Sequence, residues 1–178
     1  MHFNKKSLYI ASTHNLEHLK NWREHQDSLT DKLTIANGAT DLEVVFQDWI
    51  KPTWWDAHVL QIHQGTLFQR EIIMRSYGVE YWYARTVIPK KCYQIDHDFF
   101  NRLKNESIRN LIFNDDKVHR LNMINYPVDK QCLEYQWVKK HINLKHNTLW
   151  VRLAEYSFQY IESFYLMEIL FPELERLS

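Results

Sequence analysis

Glycine is scarce in this chain. Among 178 residues there are three, Gly38, Gly65 and Gly78, and they lie far apart. A loop that cradles phosphate needs clustered glycines, because only a backbone without Cβ comes close enough to the anion. The dinucleotide-binding fingerprint, the P-loop and the glycine loop of kinases are therefore excluded, as is the Gly-x-Ser-x-Gly nucleophile elbow. Cysteine is scarcer still. Cys92 and Cys132 are forty residues apart, which makes neither a disulfide framework nor a thiolate metal site.

Net charge is also missing: 22 Lys plus Arg balance 22 Asp plus Glu, beside 10 histidines. The basic pairs Lys5-Lys6, Lys90-Lys91 and Lys139-Lys140 are scattered. No field of either sign steers the protein to nucleic acid or to an anionic membrane. No apolar run is long enough to span a bilayer, and no basic stretch leads into an apolar one. The expectation is a soluble, cytoplasmic protein with one domain over residues 1–178, long enough to bury a core without staples.

What the chain does have is aromatic and apolar patterning, at 15% aromatic and 45% hydrophobic residues. Trp22, Leu29 and Leu33 fall near helical spacing in Asn21–Ala36, with Gly38 as a stop. Asp41–Ile50 alternates Leu42, Val44 and Phe46 as a strand does, and Pro52 ends it. Thr66–Ser76 and Val79–Pro89 are the clearest strands, joined at Tyr77-Gly78, where glycine supplies the positive φ of a tight hairpin. Asp98–Leu111 reads as a helix behind the polar cap Asp96-His97-Asp98. Asn114–Tyr135 is mixed, with short strands around Pro127, and Trp150–Phe158 and Tyr160–Phe171 close the chain as two strands. With no βαβ alternation, the class is α+β on an antiparallel sheet.

With Tyr77 and Gly78 as the two turn residues, opposed residues carry numbers that sum to 155, which sets Arg70 against Arg85. Both then share a face with Phe68, Ile72, Met74, Tyr81, Tyr83 and Val87. Like charges in direct opposition destabilise a sheet, and a buried unpaired charge costs far more. Something anionic is expected over that face: a ligand, or internal carboxylates with a purely structural role. Glu168 is the second candidate, lying between apolar residues on both faces of its strand, with Phe164, Leu166 and Leu170 on its own. It needs a cation, or its pKa rises as a general acid or base requires. A plainly structural Glu168 is the counter-ion of Arg70 or Arg85.

The histidine pairs His14/His18, His58/His63 and His141/His146 do not form a metal motif, and no metal is expected. Trp54-Trp55 reads as packing in preference to a lid.

Several motifs occur together in a familiar order. Phe68-Gln69-Arg70-Glu71-Ile72-Ile73, then Gly78, then Ala84-Arg85-Thr86-Val87-Ile88-Pro89 resembles the central signature of the bacterial chorismate lyases. Asp27-Ser28-Leu29-Thr30, Leu111-Ile112-Phe113, Val118-His119-Arg120 and Glu168-Ile169-Leu170-Phe171-Pro172 extend the likeness over roughly residues 22–172. The resemblance implies an antiparallel sheet with helical flaps closing a buried small-ligand pocket. It implies conversion of chorismate to 4-hydroxybenzoate and pyruvate for ubiquinone synthesis, driven by aromatisation, with no metal or organic cofactor. Carried over by position, Arg70 and Glu168 are catalytic, and Leu29, Arg70, Arg85, Ile108 and Glu168 bind substrate. Leu29 stands where the family pattern can have methionine, and whether Arg85 touches the ligand or supports Arg70 stays open. The expected partners are the substrate and product alone, with no nucleic acid, no membrane span and a monomeric chain. The rival is a non-catalytic ligand sensor, since sensing domains of some bacterial repressors resemble the same fold.

Overall fold

The computed structural model describes residues 3–12 and 14–177. Its centre is one antiparallel sheet of six strands: β1 (Asp41–Ile50), β2 (Leu67–Ser76), β3 (Val79–Pro89), β4 (Val118–Asp129), β5 (Thr148–Phe158) and β6 (Glu162–Leu170). Their spatial order is β1-β2-β3-β6-β5-β4, which puts β6 and its Glu168 in the interior and leaves β1 and β4 as edges. Among the described residues seven short helices cover the sheet: α1 (Lys20–Arg23), α2 (Leu29–Asn37), α3 (Trp54–His58), α4 (Lys90–Tyr93), α5 (His97–Asn101), α6 (Ile108–Phe113) and α7 (Leu133–Lys139).

Two apolar clusters form, one on each face. The first packs Phe68, Ile72, Trp82, Ala84, Trp150, Leu166 and Leu170 beneath Trp22, Leu29, Leu33, Phe100 and Leu111. The second packs Ile73, Tyr83, Val87, Val151, Met167 and Ile169 beneath Phe3, Trp55, Tyr135 and Val138. Residues of β5 and β6 are therefore apolar on both faces, as their sequences indicate.

The β2–β3 hairpin turns at Tyr77-Gly78 with φ of 48° and 78°, the two positive angles of a type I′ turn. Beside the turn, Ser76 pairs with Val79 and Arg75 with Glu80. Past Met74 the register slips by one residue, so that Met74 faces Trp82 and Tyr81 is the extra residue of a bulge. Tyr81 and Trp82, neighbours in sequence, both enter the first cluster because of it. The expected opposition of Arg70 and Arg85 is thereby corrected: Arg70 pairs with Thr86, and Arg85 pairs with Glu71.

Three further expectations change. The helix expected over Asn21–Ala36 is split into α1 and α2, where Ser28 caps α2 by accepting from the Asp31 amide. Asp98–Leu111 divides at a 3-10 turn, Arg102–Lys104, before Ser107 caps α6. Asn114–Tyr135 holds one long strand, β4, and the start of α7; Pro127 is tolerated in β4 because an edge strand has an unpaired side. Gly38 does stop α2, at φ 92°, and Asp96 does cap α5 by accepting from the Phe99 amide.

Candidate active site

Arg70 is buried on β2 and extends under the segment that leads into α6. Its Nη2 donates to the Glu106 carbonyl at 3.4 Å, and its Nε has no hydrogen-bond partner. Among the described residues no carboxylate pairs with it, and burial alone pulls its pKa below the usual arginine value. A guanidinium cannot shed its charge at neutral pH, so this is a buried cation with no anion paired to it among the described residues.

Glu168 lies on the same face, in the middle of β6, between Ala84 of β3 and Arg152 of β5. Its Oε2 is 3.5 Å from Arg152 Nε. Burial raises its pKa above the ordinary 4.5, and the charges of Arg152 and Arg120 oppose that rise. Nearby, burial first and the Glu168 charge second push the Tyr156 phenol up to about 12.

Above Glu168 is a cavity of about 30 Å³, lined from the sheet by Arg152, Tyr156, Leu166 and Glu168. Two flaps roof it: residues 27–30 at the start of α2, and Ile108, Arg109, Ile112 and Phe113 of α6. Arg109 Nε donates to Asp31 Oδ1 at 2.6 Å and so joins one flap to the other. Leu29, Ile108 and Glu168 thus meet around one cavity, and Arg70 shares their face of the sheet.

Arg85 does not join them. The bulge turns it to the opposite face, where Nη1 and Nη2 grip Asp56 Oδ1 and Oδ2 at 2.7 and 3.1 Å. Gln69 accepts two more of its bonds, and the Trp137 ring lies 4.7 Å from its guanidinium carbon. Arg85 is satisfied within the scaffold, as the structural reading of the two arginines would have it, whereas Arg70 is not. Glu168 is the counter-ion of neither; its cation is Arg152. Trp55 packs in the same opposite-face network, donating to Glu134 at 3.0 Å, while Trp54 stays exposed against His58.

The sequence profile of the chorismate lyase family matches residues 10–161. The chain belongs to the chorismate lyase family. That span includes Leu29, Arg70, Arg85 and Ile108 and ends before Glu168. A comparison with curated proteins found no match. Among solved structures, a GntR-family transcriptional regulator from Enterococcus faecalis V583 superposes with a TM-score of 0.52 at 12% identity, covering 73% of this chain and 92% of that one. The possible transcriptional regulator YydK from Bacillus subtilis gives 0.55 at 13%, covering 83% and 64%. The effector domain of PhnF from Mycobacterium smegmatis gives 0.52 at 13%, covering 81% and 88%. At such identities these likenesses speak for the fold alone.

For a chorismate lyase family member, the residue that sequence reasoning overlooked is Arg152. The signal was present. Arg152 is a charge inside the apolar run Leu149–Leu153, and the β5–β6 hairpin pairs it directly with Glu168. The observed pairs sum to 320 across a three-residue connection, whereas the expected bounds Trp150–Phe158 and Tyr160–Phe171 leave one residue between the strands and would have set Arg152 against Leu166. Among the described residues no three His, Cys, Asp or Glu side chains gather as metal ligands do, and no helix is long and apolar enough to cross a membrane.

Proposed function

We propose that this protein is a chorismate lyase, eliminating pyruvate from chorismate to leave 4-hydroxybenzoate. The observation that carries the reading is Arg70, a buried guanidinium without an internal anion on the face that presents Glu168. Neighbouring strands lie about 4.8 Å apart. Arg70 on β2 is level with Leu166 of β6, two strands across and two residues along from Glu168, so roughly 12 Å separates their backbones. In this reading the substrate ring lies between these two side chains.

In this reading Arg70 holds the ring carboxylate, a charge-assisted contact that the dry setting strengthens. Leu29 and Ile108 close on the ring from the two flaps. The bond between the ring carbon and the enolpyruvyl oxygen breaks while the adjacent carbinol carbon loses its proton. The released enolpyruvate takes up a proton at its methylene carbon and becomes pyruvate. The elimination completes an aromatic ring, and no oxidant or reductant enters the balance. Catalysis is chiefly enclosure and orientation, with Glu168 assisting proton movement at the end of the ring away from Arg70. Burial favours the protonated form of Glu168 and suits it to that task. The protein acts in this role as a cytoplasmic monomer whose product feeds ubiquinone synthesis.

A second reading has its own support in the likeness to the effector domain of PhnF. In that reading the pocket of this chain binds a small anion without chemistry.

The deciding experiment mixes purified protein with chorismate, without metal or nucleotide, and follows both products by chromatography. Equimolar 4-hydroxybenzoate and pyruvate, lost in Arg70→Ala and Glu168→Ala, is the expected result. No product, with thermal stabilisation by 4-hydroxybenzoate, overturns the lyase in favour of the sensor.

A further inference from the structure

The cavity over Glu168 measures about 30 Å³, room for about one water molecule. A six-membered ring with two carboxylates enters only if the roof lifts. What holds the roof down is therefore part of the site.

Two arginines of the sheet hold residues 22–28, the segment that leads into the first flap and is counted with it, and both do so through its carbonyl groups. Arg152 Nη2 donates to the His25 carbonyl at 2.9 Å and Nη1 to the Trp22 carbonyl at 3.4 Å. Arg120 donates to the Gln26 carbonyl and its side-chain Oε1 at 2.7 and 2.8 Å. The Arg120 contacts are exposed, whereas Arg152 is 4% exposed, with its bond to Trp22 buried and its bond to His25 half-buried. With both terminal nitrogens engaged on the flap, Nε is the guanidinium nitrogen nearest Glu168, 3.5 Å from Oε2. That Nε is buried and has no hydrogen bond.

We infer that Arg152 is a positioning residue that couples the flap over residues 22–28 to the carboxylate of Glu168, so that closing the flap sets the acidic end of the site. This rests on the reading of Glu168 as the acidic partner of the reaction. When the flap lifts, the His25 and Trp22 carbonyls leave the guanidinium, its plane is released, and Glu168 loses its aligned cation. When the flap closes on a ring, the plane is fixed again with the carboxylate in register. A lysine retains the charge but has no planar fork, so it cannot span flap and carboxylate together. The other charged or titratable groups around Glu168 are Tyr156 of β5, Arg120 of β4, Arg109 of α6 and Asp27 of the flap. His25 and Lys32 lie next to Arg152 on the flap side. Of these, Arg152 alone binds the flap backbone and faces Glu168 within ion-pair distance.

The test has two arms on the full chain. Amide hydrogen exchange, without ligand, reads the flap. Arg152→Lys is expected to speed exchange across residues 22–28 at least about tenfold while the strands β2 and β3 keep their protection. Unchanged exchange in that segment overturns the coupling, whether or not the protein turns over chorismate. The second arm is the pH profile of kcat/KM with chorismate. Arg152→Lys is expected to lower the plateau about 100-fold, as misplacement of a reacting group does, and to displace the limb that reports Glu168. A profile that only scales down, with no displaced limb, assigns Arg152 to the flap alone and overturns its link to Glu168. Absence of turnover in the unaltered protein defeats the lyase reading instead. In that case 4-hydroxybenzoate is the probe: its dissociation is expected to quicken at least about tenfold in Arg152→Lys, and an unchanged rate overturns the coupling. Arg152→Ala serves as a second variant, and Lys is preferred because it keeps the buried charge and stem.

Discussion

Arg70 and Arg85 occupy adjoining strands of one hairpin and point to opposite faces of the sheet. Each is 3% exposed. On one face Arg85 grips Asp56 with both terminal nitrogens; on the other Arg70 reaches only a carbonyl. One buried charge thus belongs to the scaffold, and the other has no carboxylate paired with it among the described residues.

Replacing each arginine by methionine separates these roles. Arg85→Met strands the Asp56 carboxylate in the interior and is expected to lower stability by about 3–5 kcal/mol. Arg70→Met removes a cation that has no internal anion, so stability stays level or rises. Thermal melts of the two variants check this, and equal losses would contradict the assignment.

Ligand stabilisation follows from the same asymmetry. At about 100 times its dissociation constant, 4-hydroxybenzoate is expected to stabilise the native protein by about 2.7 kcal/mol. Arg70→Met loses this shift. An unaltered shift in the variant means the carboxylate binds elsewhere.

Glu168 gives stability a pH dependence of definite sign. Its folded pKa lies above the ordinary 4.5 because burial outweighs the opposing charges of Arg152 and Arg120. Between those two values the native state keeps a proton that the unfolded chain has released. Stability from this group is therefore full below 4.5, declines as pH rises through the window and stays reduced above it. Glu168→Gln removes that decline. Denaturant midpoints from about pH 4 to about pH 8, compared between the two proteins, measure the difference directly.

Gly38 ties the flap helix α2 to the hairpin. It has φ 92°, and a Cβ there would lie 3.1 Å from the Tyr77 hydroxyl. Gly38→Ala is expected to cost about 1–2 kcal/mol from the left-handed backbone, with a further loss unless Tyr77 moves aside. Gly65, at φ 82° with nothing near its Cβ position, carries the backbone cost alone. Denaturation of both alanine variants should rank Gly38→Ala as the more damaging.

Much of the fold was legible because it is governed by neighbours in sequence. The ends of β2 and β3, the Tyr77-Gly78 turn, the stop at Gly38 and the cap at Asp96 depend on backbone angles and on hydrogen bonds spanning a few residues. The apolar run on both sides of Glu168 likewise announced an interior strand with a charge that needed a partner. Where the sequence reading failed, the deciding contacts come from distant parts of the chain. The helix expected over Asn21–Ala36 is interrupted where Arg152 and Arg120, more than ninety residues on, take the flap carbonyls.

The sequence by itself determined an α+β protein with a central hairpin, a buried arginine and a buried glutamate, since alternation and turn chemistry are local properties. Only the tertiary structure decided which arginine shares a face with the glutamate and which cation accompanies it. The bulge at Tyr81 lets Tyr81 and Trp82 both pack into one core, and a slip of one residue reverses the face of every later side chain in the pairing. Arg152 meets Glu168 because β5 and β6 align over their whole length. Both outcomes are matters of register, set by packing across strands.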